Sequence, residues 1–110
     1  MIYIKIQEAN NLLVGMSFEG HAFSAEYGKD VVCAAISSIA FGTINALAEI
    51  MGYVNFQKKD NKIDIIISEP SEKADLILRT AYIQCETVRQ KNQKFVKIKK
   101  EKIKWNLSLH

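Results

Sequence analysis

The chain has 110 residues, 48% of them apolar and 25% charged, with a net charge of +3. That length gives one domain with one modest core, and that balance excludes wholesale disorder. Two cysteines exclude a disulfide framework, and free thiols fit a reducing cytoplasm.

The N-terminus carries Lys5 and Glu8 and no long apolar core, so it does not read as a secretory signal. Residues 2 to 8 alternate with a period of two, Ile2, Ile4 and Ile6 against Tyr3, Lys5 and Gln7, as a strand with one buried face does. Asn10-Asn11 is a turn signal, and residues 12 to 19 read as a second strand hairpinned to the first. Residues 22 to 29 form a polar loop. Asp30 is a suitable N-cap, so a helix is expected from about Val31 to Met51, stopped by Gly52. Val32, Ile36, Ile39, Ala40, Ile44, Leu47 and Met51 form its apolar stripe.

No charged residue occurs from Val31 to Ala48. A spanning helix needs about 20 mostly apolar residues. Ser37, Ser38, Gly42, Thr43 and Asn45 interrupt this run, so a helix buried inside the protein or at a subunit interface is expected, with no membrane partner. Residues 53 to 58 and 62 to 68 flank Lys59-Asp60-Asn61 as a hairpin. Ser68 and Ser71 around Pro70 open a second helix, with Glu69 and Glu72 in its first turn, continuing to about Gln90. Residues 94 to 99 alternate as a fifth strand. The ending alternates again, through Ile103, Trp105, Leu107 and Leu109, as an added strand or a tail that orders on a partner. The order ββαββαβ gives an α+β domain, a mixed sheet of about five strands with two helices. It occupies residues 1–100, followed by a basic extension at 101–110.

Charge is unevenly spread. Eight of the fifteen basic residues lie between Arg89 and Lys104, opposed there by Glu101 alone, so residues 89–110 carry +7 and residues 1–88 carry −4. A basic tail on an acidic body suits a polyanion, which gives one functional reading: a non-enzymatic ribosome- or RNA-binding module. A solvated, charged strand edge accounts for the same lysines.

The other reading rests on Gly20 to Ser37. With Asp30 as cap, Cys33 is the third helical residue, beside unpaired N–H groups at the positive end of the helix dipole. A thiolate is favoured there, since such sites lower a cysteine pKa from about 8.5 to roughly 3.5–7.5. Ser37 lies one turn on, along the same face. His21 sits at the exit of the second strand, where an imidazole can take the thiol proton and return it to a leaving amine. Gly20 lets the chain turn at the histidine, and Gly28 lets the loop re-enter the helix. A cysteine in an alanine-rich helix is also an ordinary small core residue, and spacing alone leaves both readings standing. Cys85 reads as packing and His110 as solvated. No CxxC or HxxxH supplies paired metal ligands, and no cofactor motif stands out.

Gly20-His21-Ala22, followed by the unbroken run from Tyr27 to Ser37 (YGKDVVCAAIS), resembles the ribosomal-processing cysteine protease family, Prp. The likeness extends from residue 1 to about residue 99. It implies a cytoplasmic bacterial endopeptidase that removes a short N-terminal extension from large-subunit ribosomal protein twenty-seven. It further implies Cys33 as nucleophile, His21 as general base, Asp30 and Ser37 as supporting residues, and a homodimer. Phe23 and Tyr27 stand in the loop best placed to close on substrate. The chain departs from the family in its longer, more basic ending beyond Lys100.

Overall fold

The structure, a computed structural model, describes residues 1–20 and 29–104, with side chains at 1–20 and 31–104. Its elements are β1 (Ile2–Ala9), β2 (Leu12–Glu19), α1 (Lys29–Met51), β3 (Asn55–Lys59), β4 (Lys62–Ile66), α2 (Glu72–Gln90) and β5 (Val96–Lys102). The expected order and class are thus observed. The five strands form one mixed sheet in the order β3-β4-β2-β1-β5, with β5 parallel to β1 and the other pairs antiparallel.

Turn chemistry sets the two hairpins. Asn10 and Asn11 both adopt positive φ, 53° and 67°. This is the two-residue turn whose twist suits a hairpin, and asparagine tolerates it better than most residues. Asp60 does the same at the β3–β4 turn, with φ 51°. Ile2, Ile4 and Ile6 then point to one face with Met16, Phe18 and Ile65, where both helices bury their stripes. On α1 these are Val32, Ile36, Ala40, Ile44 and Leu47, and on α2 Ala74, Leu78, Ala81 and Cys85. Burying each large aliphatic contributes roughly 1.5–3 kcal/mol. The other face of the sheet is open to solvent.

α1 is long and apolar enough to cross a membrane by length and composition, but its stripe is committed to the sheet. Its buried Thr43 donates to the carbonyl of Ile39 at 2.6 Å, so the hydroxyl is satisfied within the helix. Gly52, at φ 84°, closes the helix by donating to Ala48 O.

Three boundaries differ from expectation. α1 starts at Lys29, so Asp30 lies in the first turn and is not the N-cap. Lysine is a strong helix former, so the helix can begin one residue before Asp30. α2 is capped by Ser71, whose hydroxyl accepts from Ala74 N–H at 3.1 Å. Glu69 therefore precedes the helix, and Asp75 joins Glu72 in its first turn. β5 runs to Lys102, and Ile103 still donates to Glu8 O, because parallel pairing with β1 extends over seven residues. Trp105, Leu107 and Leu109, read as an added strand or tail, lie outside the described residues.

One feature of the sheet is irregular. The β1–β2 register shifts between Gln7 and Glu8, so Val14 has no opposite residue. The bulge leaves the Leu13 N–H without a ladder partner, while Val14 stays tied to the β4 side. Ile67 N–H reaches Val14 O at 2.9 Å. The Asp75 carboxylate accepts the Leu13 N–H at 2.7 Å and is held by Arg79, through Nη2 at 2.8 Å and Nε at 3.3 Å. Burial pushes the Asp75 carboxyl upward. The hydrogen bonds from Arg79 and Leu13 and the charges of Arg79 and Lys100 outweigh that and hold it below its ordinary value.

Asp75→Ala is expected to lower the unfolding free energy by about 1–3 kcal/mol, because it orphans a buried N–H; urea unfolding measures it. A carboxyl with a depressed folded pKa stabilises fully above its unfolded pKa of about 3.9, and that contribution fades as pH falls through the folded value. Asp75→Asn should therefore flatten the acid limb of stability against pH below about pH 4.

Candidate active site

Cys33 lies half-buried on α1, at the end of the helix nearest the exit of β2. As the fifth residue of α1 its own N–H falls within the helical ladder, past the four unpaired N–H groups of the helix start. This corrects the expectation that it would be the third. Side chains on a helix lean toward the N-terminus, however, so a thiol at this position inclines over the first turn and its positive dipole end.

The thiol borders a cleft of about 140 Å³. One wall is the α1 face of Cys33, Ser37 and Phe41, with Ile36 and Ala40 beneath. The floor is Ile2 and Phe18 from the sheet, and the far wall is the β3–β4 turn from Lys58 to Ile63. Gly20 stands at the mouth. Its N–H donates to Asn61 O at 3.0 Å, which ties the end of β2 to the hairpin tip. Gly20 has φ 87°, and a Cβ there would collide with the carbonyl of Met1, so only glycine fits. The backbone at Gly20, the residue before His21 in sequence, is therefore held in place.

Of the residues singled out by sequence, Gly20, Cys33 and Ser37 share this cleft. His21, Phe23, Tyr27, Gly28 and the side chain of Asp30 lie outside the described residues. Phe41 was missed, although it continues the spacing of Cys33 and Ser37 by four more residues. The hairpin tip was missed because no local signal places it there. It arrives through the pairing of Lys62 with Glu19 across β4 and β2.

The second thiol differs in kind. Cys85 is fully buried, and burial, with a smaller effect from Glu86, pushes its pKa up to about 12. It is a small apolar core residue, as expected.

An α+β domain that sets a half-buried thiol in the second turn of a helix, beside a small apolar cleft, has the form of a cysteine hydrolase. The sequence pattern of the cysteine protease Prp family matches residues 1–97, and the chain belongs to that family of enzymes. It is 27% identical to the ribosomal processing cysteine protease Prp of Staphylococcus aureus over 84 residues, covering 73% of this chain and 79% of the relative. It is 30% identical to the Bacillus subtilis protein of the same name over 89 residues, covering 68% and 76%. Its fold is similar to the crystal structure of the essential ribosomal processing protease Prp from S. aureus in complex with a covalently linked product peptide. The TM-score is 0.81 at 24% identity, over 92% of this chain and all of the other.

Iodoacetamide added to the folded protein should modify Cys33 and leave Cys85 untouched until the chain is unfolded. Peptide mapping by mass reads both sites. Equal rates for the two thiols in the native protein contradict the site described.

Proposed function

We propose that the protein is an endopeptidase that removes the N-terminal extension of large-subunit ribosomal protein twenty-seven, with Cys33 as nucleophile and His21 as general base. The observation that carries this reading is the half-buried Cys33 thiol in a cleft whose mouth is held by Gly20, the residue before His21. The crystal structure of the S. aureus relative with a covalently linked product peptide supports a route through an enzyme-bound intermediate.

His21 takes the proton of the Cys33 thiol, and the thiolate sulfur attacks the scissile carbonyl carbon. The carbonyl oxygen gains the negative charge, which free N–H groups at the start of α1 are suited to hold. The C–N bond breaks, the amine leaves with the proton from His21, and a thioester remains on Cys33. Water, deprotonated by His21, hydrolyses the thioester and restores the thiol. Asp30 and Ser37 support the site, Ser37 from one turn along α1. The protein acts in the cytoplasm as a homodimer, and the second copy covers part of the uncharged outer face of α1.

Intact-mass measurement of the precursor ribosomal protein tests this. Wild type should shorten the precursor at one peptide bond, while Cys33→Ala and His21→Ala leave its mass unchanged and keep a wild-type melting transition. Cleavage that survives Cys33→Ala removes the assignment.

A further inference from the structure

We propose that the open face of the sheet, away from the helices and the Cys33 cleft, binds single-stranded RNA through Tyr3, Lys97 and Lys99. The register brings these groups together. Tyr3 on β1 stands beside Lys97 of β5, and Lys5 beside Lys99, all four on the solvent side. Tyr3 is 52% exposed, so its ring is presented to solvent on this face and is open to stacking. Adjacent strands lie roughly 5 Å apart, so Lys97 is the cross-strand neighbour of Tyr3 and Lys99 follows two residues along the same face.

Acidic residues on this face shape the site. Glu101 engages Lys5 at 3.7 Å, and Lys62 engages Asp64 at 3.9 Å. Lys97 and Lys99 have no acidic partner among the described residues. Glu19 faces Tyr3 from the β2 side. A polyanion is therefore repelled from β2 and drawn to β5, with Tyr3 at the boundary between the two. A shallow hollow of about 540 Å³ covers this region.

The chemistry suits a nucleic acid strand better than a lipid surface. A membrane site needs apolar groups to insert beside its lysines, and this face offers acids there instead. A splayed single strand stacks a base on an aromatic ring and lays phosphates against nearby cations. The hydroxyl of Ser17, opposite Lys5, adds a donor and acceptor for a ribose 2′-OH. The surface differs from the tail after Lys104 and does not depend on the peptidase reading.

Fluorescence anisotropy of a labelled single-stranded RNA oligonucleotide, titrated with the full chain at several salt concentrations, is the test. Tyr3→Ala should weaken binding roughly tenfold. Lys97→Gln with Lys99→Gln should weaken it and reduce the salt slope by about 1.4, at about 0.7 per lost phosphate contact. Both variants should melt as wild type and keep wild-type peptidase activity. Binding that these substitutions leave unchanged, or that disappears on truncation after Lys104 alone, overturns the proposal. So does DNA of the same sequence binding as tightly as RNA, or binding to phosphatidylserine vesicles with none to RNA.

Discussion

The Asp75 carboxylate is a polar tie between the two layers of the molecule, set at the edge of the core they share. It leaves the first turn of α2 to accept the one N–H that the bulge in β2 takes out of the sheet. The bulge would otherwise leave a buried donor unpaired. Arg79, one turn along, offsets the cost of burying the charge with two hydrogen bonds. The bulge in turn permits Leu13 and Val14 both to be buried while Met16 and Phe18 keep facing the helices. That inward orientation of Phe18 supplies the floor of the Cys33 cleft. A hydrogen bond at one end of the sheet thus bears on the site at the other.

The regular parts of the fold were legible because each follows from neighbours in sequence. Alternation at Ile2, Ile4 and Ile6, the Asn10-Asn11 turn and the stripe of α1 are short-range patterns. The starts of the helices were less legible. Asp30 and Ser71 are both good capping residues by type, yet Ser71 caps α2 while α1 already includes Lys29, the residue before Asp30. Asp75 was invisible as a structural anchor, because its partner Leu13 is 62 residues away. A lone acid followed four residues later by an arginine looks like any surface pair.

The site divides the same way. Cys33, Ser37 and Gly20 were found from local spacing and glycine chemistry. Lys58 to Ile63 entered only through the sheet order, in which β4 lies between β2 and β3. The cleft is consequently a property of the assembled sheet. The helix supplies the thiol, β2 supplies the exit glycine, and a hairpin some forty residues later completes the wall.

The pairing of β1 with β5 brings residues 2–8 beside residues 96–102, so almost the entire polypeptide is one closed loop. The entropy of that closure is met only when the final strand arrives. A product of premature termination, holding β1 to β4 and both helices, would present the whole unpaired rim of β1 to its surroundings. Bare backbone donors and acceptors of that kind recruit other chains. Interrupted synthesis of this protein should therefore yield aggregates rather than a partly working fragment.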